Sequence, residues 1–379
     1  MPAPTLGSWS TREVVTAAKL NAQVRNPYRY LSAMPQLSCR GVVAGQSVPR
    51  GQRAYIKWAA PNLDGFRPDS ASQWFTVPDT GIYIVTATLT LKAGAIQLGG
   101  DGIAIFIAKR ATSGTITSIA AVREIMQQQD GIQVVSAVAA VHFQAGEAIA
   151  TASYLDSRSP SSTYNLQSGE WEGLFSAVMV GPGTTSFSAP TAPPPAMETW
   201  TDGTRIGPAD MTRRITAPLQ ALYSPARFAC RAVSPYSSPS NVGRQVSWAT
   251  AEFEQCGGWA LSRDGTAVTV PASGVYLICL SLAIQRDGTA GPYGSWQVNL
   301  LRNGQLVSLH QRQNTGSSYG SSTMATEVVY LNAGDTVSTY FIGTGTGLTW
   351  RNFWNGPNTE SWDTFAAVML APTATSMEA

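Results

Sequence analysis

The chain has 379 residues and a formal net charge of +2, and only 13% of its residues are charged while 44% are hydrophobic. A charged fraction well below the roughly 25% of an average soluble protein favours an extracellular or particle-bound structural protein over a cytosolic enzyme. The near-neutral charge excludes the basic surface that nucleic-acid binding requires, and no run approaches the roughly 18 apolar residues of a membrane span. We therefore expect no nucleic-acid partner and no membrane insertion.

The start of the chain does not have the features of a secretory signal. Residues 1–5 carry neither basic side chains nor an apolar core. We therefore expect synthesis in a cytoplasm, followed by assembly into a larger particle.

A short helix is predicted over residues 17–25, with Thr16 as its N-cap. Pro27 is expected to end or kink this helix, because the proline ring clashes with the carbonyl group four residues back. One face carries an apolar stripe at helical spacing, formed by Leu20, Val24, Tyr28 and Leu31. Such a stripe needs a partner surface; packing on its own domain and docking on a neighbouring subunit both fit it.

After this segment the spacing of apolar residues changes to two. Residues 82–91 alternate apolar residues with threonine in their second half, and residues 103–108 alternate apolar with small residues. These patterns predict β-strands, and the glycine, proline and polar residues between them predict turns. Many short strands without an intervening helical pattern are typical of an antiparallel jelly-roll sandwich.

The second half of the chain repeats the first. Residues 9–31 recur as residues 200–222, an offset of 191 (200 − 9), with Trp9 matched by Trp200. Pro208 takes a first-turn position in the second helical segment. Its apolar stripe consists of Met211, Ile215, Leu219 and Leu222. Strand patterns then follow at residues 275–284, 296–301, 327–331, 336–342 and 364–370.

This duplication predicts a mainly β fold with two tandem antiparallel jelly-roll sandwiches, each preceded by a short helical segment. The predicted segments are an N-terminal helical docking segment (1–35), a first jelly-roll domain (36–182), a Pro-rich linker (183–198), a second helical segment (199–225) and a second jelly-roll domain (226–372). The linker is expected to be extended, at about 3.1 Å per residue. It would let the second domain reach another layer or subunit; a flexible tether is the alternative.

The four cysteines are expected to be free thiols. Cys39 and Cys230 hold matching positions (230 − 39 = 191) in strand-like runs, which indicates a shared core position. Cys256 and Cys279 occur only in the second half, and no CxxC spacing exists. A structural zinc site needs four ligands at close spacing, so we expect no metal and no cofactor.

The sequence also indicates no enzyme. The two histidines, His142 and His310, lie in strand-like runs outside any nucleophile motif. Carboxylates near Trp171 and Trp362 fit paired-carboxylate glycoside hydrolysis, but the matching positions of Glu170 and Glu360 favour a structural turn. These carboxylates are Glu170, Glu172, Glu360 and Asp363.

The loops of the second half are rich in aromatic residues. The candidates for contact with a glycan or a partner there are Tyr293, Tyr319, Trp350, Arg351, Phe353 and Trp354. An aromatic ring stacks on the apolar face of a sugar while neighbouring polar groups bind its hydroxyls. Aromatic residues near strand ends also form subunit contacts and sheet edges, and both interpretations stay open.

Several stretches in both halves resemble the jelly-roll superfamily of complement q and tumour necrosis factor. Phe75-Thr76-Val77-Pro78 precedes Gly81-Ile82-Tyr83, and Val268-Thr269-Val270-Pro271 precedes Gly274-Val275-Tyr276. The order continues through residues 298–304, 331–337 and 364–370, and residues 109–114 form a longer turn in the first half. We expect the motif glycines to permit a backbone conformation that other residues avoid. The resemblance implies a homotrimer, with the heads in two stacked trimers or in a pseudo-hexameric ring.

Residues 9–21, with Val24, Arg25 and Asn26, are similar to the opening of minor tail proteins of tailed bacteriophages. This resemblance implies a virion structural protein of the tail, tail tip or baseplate, made in the host cytoplasm. Its expected partners are itself, other virion proteins and host-surface glycan. A capsid decoration or head-fibre protein is the alternative within the particle. A soluble lectin-like glycan-binding module is the alternative of another class.

Overall fold

The structure is a computed structural model. It describes residues 16–32, 34–59, 61–93, 102–125, 132–156, 163–168, 173–182, 207–216, 219, 222, 225–231, 237–239, 241–249, 253–287, 294–314, 321–344, 349–352 and 363–372. None of the helices in these ranges has the length and hydropathy needed to cross a membrane.

The first helical segment continues through Pro27. It consists of α1 (Ala17–Leu20), a π-helical turn (Asn21–Arg25) and α2 (Asn26–Ser32). Thr16 caps it as predicted, since its hydroxyl accepts a hydrogen bond from the Lys19 N–H at 3.2 Å. Of the two outcomes expected at Pro27, the helix does not end there; instead a wider π-helical turn precedes the proline and relieves the clash between its ring and the preceding turn.

The second helical segment repeats this construction. It contains α3 (Pro208–Met211), in which Pro208 takes the predicted first-turn position, followed by a π-helical turn (Thr212–Thr216). Leu219 and Leu222 are also helical. The two π-helical turns start 191 residues apart (212 − 21), so they hold matching positions in the two repeats.

In the described residues, thirteen strands follow the first helical segment and form the first head. They are β1 (Gln36–Arg40), β2 (Ser47–Pro49), β3 (Arg53–Tyr55), β4 (Pro61–Asp64), β5 (Arg67–Pro68), β6 (Trp74–Thr76), β7 (Gly81–Ala93), β8 (Gly102–Arg110), β9 (Ile116–Ile125), β10 (Ile132–Phe143), β11 (Ala148–Asp156), β12 (Thr163–Leu166) and β13 (Gly173–Gly181). One sheet has the order β2-β12-β7-β13-β1-β4, with β10 also on β7; the other has the order β5-β6-β11-β8-β9, with β3 on β11.

The second head repeats the topology, each strand having its counterpart thirteen strands later. Its strands are β14 (Arg227–Arg231), β15 (Ser237–Pro239), β16 (Arg244–Gln245), β17 (Phe253–Cys256), β18 (Ala260–Leu261), β19 (Ala267–Thr269), β20 (Gly274–Asp287), β21 (Gly294–Arg302), β22 (Gln305–Asn314), β23 (Ser321–Leu331), β24 (Thr336–Thr344), β25 (Thr349–Asn352) and β26 (Thr364–Pro372). The strand orders β15-β25-β20-β26-β14-β17 and β18-β19-β24-β21-β22 confirm the predicted fold class, two tandem antiparallel jelly-roll sandwiches.

A buried tryptophan holds the matching position in the core of each head. The Trp58 indole N–H donates to the Thr151 hydroxyl at 2.9 Å in the first head. In the second head, the Trp248 indole N–H donates to the Thr339 hydroxyl at 3.0 Å. A buried indole N–H without an acceptor is destabilising, so each threonine allows a tryptophan to fill the core. Cys39 and Cys230 hold matching positions in the two heads, and both are buried, as predicted.

Gly81 and Gly274 are required for a reason other than the expected one. Neither has a positive φ. A Cβ atom on Gly81 would lie 2.6 Å from the Gly181 carbonyl oxygen, and one on Gly274 would lie 2.6 Å from the Ala371 carbonyl oxygen. These glycines therefore allow the first residue of β7 and of β20 to approach the neighbouring strand closely.

Candidate interaction surface between the heads

The two heads contact each other through an apolar cluster to which both contribute. The buried members are Ile82 and Ala140 of the first head and Leu277, Cys279, Ala366 and Val368 of the second. On the first head the contact involves the edge strands β9 and β10, and on the second it involves the sheet face formed by β20, β23 and β26. We call this contact the head–head interface.

A hydrogen bond between described residues of the two heads crosses the head–head interface. The Ser281 hydroxyl in β20 donates to the backbone carbonyl of Ala121 in β9 at 3.3 Å. Ala121 lies on an edge strand, whose outer carbonyl groups have no further strand to bind. Met324 of β23 packs against the core cluster of the first head. The interface therefore satisfies part of an exposed strand edge as well as burying apolar side chains.

A small crevice of about 20 Å³, partly open to solvent, lies at the interface. Both heads line it, with Ile119, Val138, Ala139, Ala140, Val141 and His142 from the first and Arg227, Ala229, Cys230, Cys279, Thr364 and Ala366 from the second. Its thiol groups are poor nucleophiles, because burial raises the pKa of Cys230 and of Cys279 to about 12. These two thiols are therefore suited to packing rather than to nucleophilic chemistry.

Asp363 is the one carboxylate of the predicted group that lies in the described ranges. Its side chain is buried at the start of β26 and accepts a hydrogen bond from the Ala283 N–H at 2.8 Å. Burial raises its pKa to about 7, against the lowering effect of that hydrogen bond. The carboxylate thus connects β26 to β20, while Glu170, Glu172 and Glu360 lie outside the described residues.

The four stripe residues of the first helical segment do not behave alike. Leu20 is exposed, Val24 is half-buried, and Leu31 packs partly against the core of the first head. The backbone of Tyr28 lies in α2, but its side chain is outside the described set. The residue that anchors the segment is Tyr30, which the sequence reasoning missed: it is buried, and its hydroxyl donates to Asp79 Oδ2 at 3.0 Å.

The second helical segment packs on the first head. Leu219 belongs to the buried core cluster of that head, and Ile215 packs partly against it. Met211 is also buried, whereas Leu222 is exposed. This partner is neither of the two that the sequence suggested, because the first head is neither the domain that follows the second segment nor a neighbouring subunit.

The predicted aromatic contact residues fall mostly outside the described set. Trp350 and Arg351 lie in strand β25, which pairs with β15 and β20, rather than in a loop. Their side chains, and all of Tyr293, Tyr319, Phe353 and Trp354, lie outside the described residues. Across the described part of the chain, no group of three or more His, Cys, Asp or Glu side chains is placed to hold a metal ion.

No protein-family model matches the chain, and no curated protein matches it. Among solved structures, the chain is similar to Eiger TNF from S. frugiperda, with a TM-score of 0.33 and 12% identity over 41% of this chain and 98% of that chain. It is also similar to murine APRIL at pH 5.0, with a TM-score of 0.30 and 15% identity over 38% of this chain and 98% of that chain.

Proposed function

We propose that the chain is a structural protein of a bacteriophage virion, of the tail, tail tip or baseplate, which assembles through its jelly-roll heads and contributes to host-surface recognition. The observation that carries this proposal is the head–head interface, where edge strands of one head bury apolar side chains against the sheet face of the other. A buried apolar patch of this kind is typical of assembly surfaces. The similarity of residues 9–21 to minor tail proteins supports a phage particle as the setting.

The proposal assigns the chain a binding role without catalysis or a cofactor. Its partners would be further copies of itself, as a homotrimer or a pseudo-hexameric ring, and other virion proteins. The hydrogen bond of the buried Asp363 within the second head and the high pKa values of the crevice thiols support structural roles for these groups.

The location of the chain in purified particles tests this proposal. Antibodies against the second head, visualised by gold labelling in electron microscopy, are expected to mark the tail or its tip. Label on the capsid surface would instead support a decoration or head-fibre protein. Absence of the chain from purified particles by mass spectrometry would contradict a virion role altogether.

Host-surface recognition has a separate test. The full chain is applied to a glycan array together with the Trp350→Ala and Trp354→Ala variants. Retention on host-surface glycans is expected for the wild type and at least about tenfold weaker retention for the variants, because aromatic residues dominate many binding sites. A Val242→Glu variant, which alters an exposed turn of the second head, serves as the control. Equal binding by the wild type and the three variants would show that Trp350 and Trp354 do not contribute to glycan binding.

A further inference from the structure

Arginine side chains stack on aromatic rings at the outer side of the β5-β6-β11-β8-β9 sheet of the first head. The Arg110 guanidinium lies over the Trp74 ring, 4.5 Å from its centroid, and the Arg53 guanidinium lies 4.2 Å from the centroid of Phe106. The Tyr55 ring lies 4.9 Å from that of Trp74. The Trp74 and Phe106 rings are buried, whereas Tyr55 and both arginines are half-buried. We call these five residues the arginine–aromatic face.

Each arginine crosses strand β11 to reach its ring, because β11 lies between β8 on one side and β6 and β3 on the other. Trp74 of β6 pairs there with Ala150, and Phe106 of β8 pairs with Ala152. Both alanines are 0% exposed, since the side chains of the face cover them. An alanine leaves room for a long side chain to lie flat across the strand. The guanidinium planes are therefore held in defined positions against the rings.

The second head has the same fold without this face. By strand register, the positions of Tyr55, Trp74 and Phe106 are held there by Gln245, Ala267 and Asn299. The jelly roll therefore does not require the stacked rings. The face belongs to β3, β6 and β8, whereas this head meets the second through β7, β9 and β10. Tyr55 and the arginines thus stay partly open to solvent while the two heads are in contact.

The arginines of the face determine the charge of a suitable ligand. A guanidinium that stacks through its flat side presents its N–H groups in the plane, where they can bind a carboxylate or a phosphate through two hydrogen bonds. Arg67 is exposed and adds a further positive charge, because it pairs with Thr76 in the row of the sheet that contains Arg110. The face therefore suits an anionic ligand.

The spacing of the two stacked pairs restricts the ligand further. The partners of Trp74 and Phe106 lie two residues apart along β11, and the rings come from the strands on either side of it, so about 12 Å separates them. Tyr55 contacts Trp74 and shares the row of Phe106, which places its half-buried ring between the two pairs. An aromatic ring stacks on the apolar face of a sugar. The face thus fits a chain in which an uncharged sugar separates anionic groups.

We propose that the arginine–aromatic face binds an acidic polysaccharide, with each stacked arginine on an anionic group and Tyr55 on an uncharged sugar between them. A single-stranded nucleic acid fits less well, because it carries a charge at every nucleotide and needs open rings for its bases, whereas Trp74 and Phe106 are covered. This site differs from the aromatic residues of the second head that the glycan array addresses. The inference adds a second recognition surface to the proposed function and names its class of ligand.

The test measures binding of the full chain to immobilised hyaluronate, in which charged and uncharged sugars alternate, by biolayer interferometry. Dextran, an uncharged polysaccharide, and single-stranded poly(dT) are immobilised in parallel. The wild type is expected to bind hyaluronate at least about tenfold more tightly than either of them. Arg53→Gln and Arg110→Gln are each expected to weaken this binding at least about tenfold. Arg263→Gln removes the same charge from an exposed turn of the second head, and this matched control should bind like the wild type.

Lysine variants distinguish a built site from diffuse positive charge. Arg53→Lys and Arg110→Lys keep the charge but lose the planar group that stacks and binds through two hydrogen bonds, so both are expected to lose most of the binding. Circular dichroism checks that each variant is folded. Arg67→Gln lies outside the stacked pairs at an exposed position, and it should weaken binding without affecting the fold. This variant keeps the inference testable if a stacking variant does not fold.

Several results would overturn the inference. They are no binding to hyaluronate, equal binding to dextran, tighter binding to poly(dT), an equal loss in Arg263→Gln, and lysine variants that bind like the wild type. The virion role is tested separately. Hyaluronate binding by a chain that is absent from purified particles would overturn only that role, whereas a particle-borne chain that does not bind hyaluronate would overturn only the present inference.

Discussion

Two buried aspartates of the second head, Asp335 and Asp363, have pKa shifts of opposite sign. Asp335 accepts hydrogen bonds from the Asn332 N–H at 2.7 Å and the Asn303 side chain at 2.6 Å, and it pairs with Arg302 at 2.8 Å. Burial alone would raise its pKa, but these donors together lower it. The first head has the equivalent pair, Lys109 with Glu147 at 2.7 Å. At Asp363 the hydrogen bond from the Ala283 N–H lowers the pKa, but burial outweighs it and raises the pKa to about 7.

The substitution Asp363→Asn is expected to stabilise the protein at pH 8. The raised pKa means that the folded state binds a proton more tightly than the unfolded state, so the contribution of Asp363 is most favourable below pH 4 and is lost as the pH rises towards 7. Asparagine carries no charge and its Oδ1 still accepts the Ala283 N–H. Thermal unfolding at pH 4 to 8 should show a variant whose Tm exceeds that of the wild type at pH 8, with the difference shrinking towards pH 4.

Asp335→Asn is the matched control because its pKa shift has the opposite sign. Because folding lowers the pKa of Asp335, its carboxylate stabilises the folded state at pH values above the unfolded pKa of 3.8. This stabilisation is lost as the pH falls through the folded pKa. This variant should therefore be less stable than the wild type at pH 8 and approach it in acid. A lower Tm for Asp363→Asn at pH 8 would show that the charged form of Asp363 is favourable in the folded protein.

At the scale of elements, the strands were predictable and the helical segments only partly so. Strands such as β7 and β8 were recognisable because alternation of apolar residues reports directly which side faces the core. The continuation of the helical segment through Pro27 was not recognisable, because the π-helical turn that accommodates the proline depends on packing such as that of the buried Tyr30 and its hydrogen bond to Asp79. A stripe counted in α-helical steps changes phase across a π-helical turn, which explains an exposed Leu20 and a buried Tyr30.

The candidate surface was less predictable than the fold. Val178 and Val368 match in the repeat, and sequence alone gives no reason to treat them differently. The two valines differ in burial because the first head covers Val368. This contact depends on how the two folded heads pack against each other. The loops favoured from their aromatic content remain a prediction, since their side chains lie outside the described residues.

Leu219→Ala is expected to destabilise the first head although Leu219 belongs to the second helical segment. Leu219 is buried in the core cluster of the first head, and removal of a buried leucine side chain costs about 2 to 5 kcal/mol. Hydrogen exchange measured by mass spectrometry should show faster exchange in β1 and β13. Leu222→Ala, three residues later and exposed, is the control and should leave exchange unchanged. Faster exchange confined to the second head would contradict this packing.

At the scale of the whole molecule, the duplication produced two heads with the same fold and different neighbours. The first head meets the second through its β9–β10 edge, and the second head contributes its β20–β26 face. The position that Ala140 holds in the first head is held by Val328 in the second. An alanine permits close approach of the two heads, so the internal contact is the one more sensitive to an enlarged side chain.

Ala140→Asp is therefore expected to separate the two heads without unfolding either. The variant places a charged side chain among Leu277, Ala366 and Val368. Burial of this charge destabilises the head–head interface far more than it destabilises the strand pairing around residue 140. Small-angle X-ray scattering of the monomeric fraction should show a larger radius of gyration, while circular dichroism keeps its β-sheet signal. Val328→Asp, the same change at the matching position of the second head, should leave the scattering of the monomer unchanged because Val328 is exposed there. Equal effects of the two variants would mean that the heads do not meet through unlike surfaces.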